Sequence, residues 1–190
     1  PIMDIELVCG AEADFAAAKD RDFQLSNPTP TGPWANYYGG PFEKAPNVIT
    51  GVEQERLVKL LEQLTHVPEN FHLHPKLVRA MERKRQMAAG EEPLDWSTAE
   101  SLAFASLASQ GVRIRISGQD SERGTFSQRH AVLHDVKDGH KYMPLAHLSP
   151  DQGPVEIVNS PLSEAGVLGF DYGYSLDCPE GLVAWEAQFG

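Results

Sequence analysis

Cysteine is scarce: Cys9 and Cys178 are the only two. Isolated thiols far apart in a chain supply neither the paired spacing of a metal knuckle nor a disulfide framework. A reducing, cytoplasmic setting is the expectation. Long apolar runs are missing as well. No stretch approaches the roughly 18 residues a membrane helix needs, and the opening PIMDIELVCG carries no basic region or export pattern, so membrane association is not expected. Positive charge is in short supply. Sixteen Lys and Arg against 27 Asp and Glu give a formal net charge of -11, which on average repels a nucleic-acid duplex or an anionic membrane. Nucleic acid is therefore not an expected partner. An initiator methionine is lacking too, and the chain stops on Phe189 and Gly190 directly after an apolar run, the look of a piece of something longer. What is present is a globular composition, 41% hydrophobic over 190 residues, enough for one sizeable core or about one and a half domains.

The pattern divides into an N-terminal segment with a proline-rich linker (1–42), a helical lead-in (43–94) and an α/β region (95–190). An amphipathic helix is expected around Phe15, and SNPTPTGP then prevents regular structure. Trp34, Tyr37 and Tyr38, before Gly39-Gly40, are rings of the kind that dock a linker onto a neighbouring surface. Thr50 and Glu53 have capping-box spacing, and Leu57, Leu60, Leu61 and Leu64 follow at helical intervals up to Pro68. Pro75 opens a second helix with Leu77, Val78 and Met81 on one face, a solvated charge run around the rest and Gly90 as terminator. Ser97 and Glu100 suggest a capping box for a largely apolar, buried helix ending at Gly111. Val112, Ile114 and Ile116 alternate as a strand, SGQDSERGTFSQRH is a long loop at its carboxyl end, and Lys141–Leu145 reads as a short strand. Val155–Val158, a helix from about Pro161 to Leu176, and Leu182–Trp185 form a strand, helix, strand unit, which implies a parallel pair.

Several residue sets are candidates for chemistry. Glu164 falls in the first turn of the last helix, beside the carboxyl end of the preceding strand, where open α/β sheets bind ligands. The plain alternative is that it only complements the helix dipole. Gly166, Gly169 and Gly173 lie at helical spacing, each costing roughly 1 kcal/mol relative to alanine, so close approach of another surface is expected there: a subunit interface, or ordinary packing on the sheet. His130 and His134 are four apart and would both point one way from a helix, as a metal pair requires, although the glutamate of an HExxH motif and a third ligand are lacking. Structural or hydrogen-bonding roles are the commoner outcome for them and for His72 and His74. Asp120, Glu122 and Arg123 suit either a polar ligand or a mutual charge network.

The runs FHLHPKL, LDWSTAESLAFASL, SGQDSERGTFSQRHAVLHD, NSPLSEAGVLGFDYGYSL and WEAQFG resemble the thiamine-diphosphate-dependent decarboxylating component of the 2-oxoglutarate dehydrogenase complex. The resemblance runs from about Trp34 to Gly190, and the first 30 or so residues find no counterpart. It implies an α/β fold, a partial transketolase-like pyrimidine-binding domain with a parallel sheet. It further implies a homodimer, with the cofactor between two subunits, and a lipoyl-bearing succinyltransferase as partner. LSEAG resembles the motif whose glutamate meets the aminopyrimidine ring, which places that role on Glu164. A carboxyl group at the ring nitrogen favours the imino tautomer, which lets the cofactor remove its own thiazolium proton. Phe189 matches the aromatic that stacks on the ring. Gln119, Asp120, Arg123 and His130 match the family's loop without individual roles. The GDG motif for magnesium and diphosphate, and the histidines that receive the oxo acid, do not occur in the sequence, so the chain alone is expected not to turn over substrate. A sibling 2-oxo acid specificity, a non-catalytic interaction module and a metal hydrolase built on His130 and His134 stay open beside this reading.

Overall fold

The structure, a computed structural model, describes residues 32–37 and 47–188. The helix expected around Phe15, together with Tyr38, Gly39-Gly40 and Phe189, lies outside the described residues. The chain divides into two units, Pro1–Gly39 and Gly40–Gly190. In the first, Gly32–Trp34 makes one 3-10 turn, and Trp34 meets Tyr37 edge to face at 5.4 Å.

The second unit begins with helix α1, Gln54–Leu64, whose Leu60, Leu61 and Leu64 are buried as their spacing predicts. The Thr50 and Glu53 capping box does not form: Glu53 is the N-cap, without a side-chain hydrogen bond. A helix begun at Thr50 would place Gly51 in its first turn, where glycine is disfavoured. Helix α2, Pro75–Ala88, starts at the expected proline, and the His74 imidazole accepts from Lys76 N at 3.2 Å. Its buried residues are Met81 and Met87, whereas Val78 is exposed because it is turned off the Leu77–Met81 stripe. Gly90, with φ +76°, closes this helix in the left-handed conformation that glycine supplies most cheaply. Helix α3, Trp96–Ala108, is capped by Asp95, whose carboxylate accepts from Thr98 N at 2.8 Å. That corrects the expected Ser97 and Glu100 box, and it releases both side chains for other partners. Only one face of α3 is buried, with Ala103 exposed.

Strand β1 is Ile114–Gly118, two residues further on than the sequence suggests. Strands β2, Leu133–His134, and β3, Lys141–Tyr142, form a minimal antiparallel pair. The strand expected to reach Leu145 stops early because Pro144 has no N–H to donate and opens a 3-10 turn, Pro144–His147. Strand β4, Val155–Asn159, helix α4, Glu164–Asp177, and strand β5, Leu182–Glu186, complete the unit. The sheet order is β4-β1-β5, with both outer strands parallel to β1. The strand, helix, strand unit is therefore parallel but not an adjacent pair. β1, most buried of the three, lies between its strands, as a parallel strand covered on both faces should.

Leu60, Leu61, Leu64, Met87, Leu102, Ala105 and Ala108 pack with Ile114, Ile116 and Ile157 in one core, so the lead-in helices and the sheet share their apolar interior. On the sheet, α4 packs against β5 and β1. The carboxyl ends of all three strands, at Gly118, Asn159 and Glu186, are level with one another. β4 and β5, as second neighbours, are roughly 10 Å apart there.

Candidate functional site at the carboxyl end of the sheet

Between β4 and α4 the sequence NSPLSE offers two helix starters. Pro161 is the expected one, yet the helix begins at Glu164, with Ser163 as N-cap accepting from Gly166 N at 3.3 Å. A serine hydroxyl satisfies an orphan amide of the first turn, which proline cannot do. Glu164 is thus the first helical residue. Its Oε1 is buried and has no hydrogen-bond partner among the described residues. Leaving such an oxygen unpaired costs about 1–3 kcal/mol. Carboxyl ends of parallel strands are where open α/β sheets bind ligands, so this unsatisfied oxygen is a candidate ligand contact.

The helix that carries Glu164 is fixed to the sheet by polar contacts. Arg115 Nε donates to Asp171 Oδ1 at 3.0 Å and Nη1 to Glu156 Oε2 at 3.0 Å, while Ser117 Oγ donates to the buried Asp171 carboxylate. The guanidinium also lies over the rings of Phe170 and Tyr174, at 5.1 and 4.9 Å. Burial works against its charge, but the bonds to Asp171 and Glu156 outweigh that and hold Arg115 above the ordinary arginine value.

The loop from Gln119 to His130 leaves the same end of the sheet, with Glu122 N donating to Asn159 Oδ1 at 2.9 Å, and three of its non-glycine residues have positive φ: Asp120 at 57°, Ser127 at 54° and His130 at 44°. Arg129 holds it. Its side chain is 6% exposed and reaches three elements: Nε and Nη2 donate to Glu100 on α3, both at 2.9 Å, and Nη1 donates to Glu186 Oε2 at 2.6 Å and to Ser121 O at 2.9 Å. Burial would lower the guanidinium, yet the two carboxylates raise it beyond its ordinary range. Asp120 pairs with Arg123 at 2.9 Å, whereas Glu122 turns away to Lys141 at 2.8 Å, so the expected network splits in two. Gln188 Nε2 donates to Gln119 O at 2.7 Å and to Thr125 Oγ1 at 3.0 Å. Arg129, Glu186, Thr125 and Gln188 lie within runs that carry the resemblance, but their pairing across the fold has no local signal in the sequence.

The His130 and His134 metal pair does not form. His130 is in a left-handed loop position and His134 in β2, so no helix points them one way. His134 Nε2 lies 3.7 Å from Glu122. His72 instead serves structure: its N and Nδ1 both meet Asp135 Oδ2, at 2.6 and 3.0 Å. Asp135, Asp138 and His140 have ligand atoms within 4.8 Å of one another, but Asp135 already accepts from the backbones of His72 and Lys137. Packing on the sheet does not account for Gly169 or Gly173, where a β-carbon would meet nothing within 4 Å among the described residues; at Gly166 it would meet Ser163 Oγ at 3.2 Å.

Burial, with the Lys84 and Arg123 charges nearby, holds the His130 imidazole below its ordinary value of 6.5, against a backbone hydrogen bond to Ser127 that favours the proton. Below that value the unfolded chain takes up a proton that the folded loop resists, so stability falls as pH drops toward the folded value. Replacing His130 by asparagine, which tolerates positive φ, is expected to flatten the decline in urea midpoint between about pH 7 and pH 5.

With this geometry in view, residues 92–190 match the family described as transketolase, pyrimidine binding domain, and the chain belongs to that family. More narrowly, it is similar to sections of larger enzymes. It is 41% identical over 194 residues to the 2-oxoglutarate dehydrogenase E1 component of Rickettsia conorii, with 100% of this chain and 21% of the relative covered. It is 49% identical over 147 residues to the E1 component of a Geobacillus species, covering 77% of this chain and 15% of that protein. To the mitochondrial 2-oxoglutarate dehydrogenase of Schizosaccharomyces pombe it is 51% identical over 145 residues, covering 76% and 14%. The chain spans at most about a fifth of the length of these relatives. The Rickettsia alignment takes in the first 30 residues, for which the sequence reading finds no counterpart. Among the described residues, no helix is long and apolar enough to cross a membrane.

Proposed function

We propose that this chain supplies the pyrimidine-binding side of a thiamine diphosphate site in a cytoplasmic 2-oxoglutarate dehydrogenase. The parent enzyme decarboxylates 2-oxoglutarate and passes the succinyl unit to the lipoyl group of a succinyltransferase. The observation that carries this reading is the buried, unpartnered Glu164 Oε1 at the carboxyl end of a parallel sheet, in a chain related along its whole length to such enzymes. Glu164 holds and exchanges a proton at the ring nitrogen, and Phe189 packs on the ring face. Bound thiamine diphosphate supplies the electron sink for loss of carbon dioxide. Ser163 caps the helix at Glu164, and the Asp171, Arg115 and Ser117 contacts fix that helix to the sheet. Magnesium and diphosphate are held by residues outside these 190.

A second copy of the chain covers the open face of α4. Among the described residues nothing lies within 4 Å of a β-carbon placed at Gly169 or Gly173, and Leu162, Leu168, Phe170 and Tyr172 are exposed around them. In the full-length protein, Gly169→Ala with Gly173→Ala is expected to shift dimer to monomer in sedimentation velocity. On a face that stays open, the same changes would stabilise the helix by about 1 kcal/mol per site and leave assembly unchanged. The functional reading as a whole is tested by calorimetric titration of thiamine diphosphate and magnesium. Full-length protein is expected to bind tightly, and residues 1–190 alone to bind weakly and to be inactive. Absence of binding by the full-length protein would overturn the reading.

A further inference from the structure

We infer that Gln188 is a positioning residue for the aminopyrimidine pocket, acting through the loop that leaves β1; the inference rests on the thiamine diphosphate reading above. The end of β5 is tied to that loop at two levels. Glu186, the last residue of the strand, is gripped by Arg129 at 2.6 Å. Two residues later the Gln188 amide nitrogen serves two acceptors on the loop, Gln119 O at 2.7 Å and Thr125 Oγ1 at 3.0 Å.

The backbones must come close for this, and Gly118 allows it: with φ +147°, a β-carbon there would lie 2.5 Å from Glu186 O. The two segments joined are the chain leaving the central strand and the chain that runs directly into Phe189, the residue assigned to the ring face. The loop also keeps positive φ at Asp120, Ser127 and His130, conformations that persist where surrounding contacts over-determine them. Gln188 is therefore placed to set the relation between the loop and the end of β5. Only a donor can do so, because one of its acceptors is a carbonyl oxygen. A glutamate of the same size would set a carboxylate against that carbonyl.

The test uses full-length protein with three readouts: calorimetric affinity for thiamine diphosphate in the presence of magnesium, the thermal midpoint of the cofactor-free protein, and kcat and KM for the oxo acid. Gln188→Glu is expected to raise the cofactor Kd about tenfold, with the cofactor-free midpoint within about 2 °C of wild type and KM for the oxo acid unchanged. Thr125→Val, which removes one acceptor, should give a smaller rise, and Thr125→Ser should restore wild-type affinity. Unchanged cofactor affinity in Gln188→Glu would overturn the inference. So would an affinity loss matched by a collapse of the cofactor-free midpoint, since that marks a purely structural contact. Glu164→Gln is run in parallel. If it retains full activity, the thiamine diphosphate reading itself fails. If it loses activity while Gln188→Glu binds normally, only the positioning role falls.

Discussion

Glu164→Gln in the full-length protein is expected to lower kcat by about 10²–10⁴-fold, the usual contribution of one positioned proton-transfer group. The amide is isosteric and can still hydrogen-bond, but it cannot exchange a proton with the ring nitrogen. The fold should tolerate the change. Ser163, not Glu164, caps α4, and the lost helix-dipole interaction of a first-turn carboxylate is worth only about 0.3–1 kcal/mol. Steady-state turnover beside a thermal melt checks both halves. Near-normal turnover would remove Glu164 from the chemistry, whereas a collapsed melting temperature would make its role structural.

The largest stability effect is expected at Arg129. Removing it as Arg129→Ala leaves Glu100 and Glu186, whose side chains are 25% and 20% exposed, facing one another without their cation. Breaking a buried pair in this one-sided way costs about 3–5 kcal/mol, read as a lower urea midpoint at unchanged slope. Arg129→Met combined with Glu100→Gln and Glu186→Gln should recover much of the loss, because no uncompensated charge is then left inside. The exposed pair of Arg83 and Glu92, at 2.8 Å, is the control, and its removal should leave the urea midpoint almost unchanged. Similar losses at both pairs would contradict the view that Arg129 is the clamp of the loop.

What could be read from residues alone divides along physical lines. Glu164 is legible because its address depends on local features only: an apolar run, a turn of small polar residues, then a helical pattern. Helix starts are less so. Around α3 and α4 two starters lie within three residues of each other, and spacing cannot rank Asp95 against Ser97, or Ser163 against Pro161. The strand order escapes a local reading because β1 inserts between strands that are consecutive in the sequence. Arg129 escapes for the same reason, its partners lying 29 and 57 positions away. The His130 and His134 pair fails because an i, i+4 argument assumes a helix, and a backbone at φ +44° is not one. The glycine stripe is legible as a need for a close neighbour. Among the described residues no such neighbour approaches Gly169 or Gly173, and the second copy proposed above is something no periodicity within one chain can name.

The central proposition is that the Glu164 carboxyl group meets the aminopyrimidine ring of the cofactor. An experimental structure of the full-length protein with thiamine diphosphate and magnesium bound tests it most directly. A Glu164 oxygen within about 3.2 Å of a ring nitrogen, in the cleft beyond Gly118, Asn159 and Glu186, is the predicted result. Glu164 pointing into solvent, or paired with a basic side chain of another domain while the ring sits elsewhere, would contradict it.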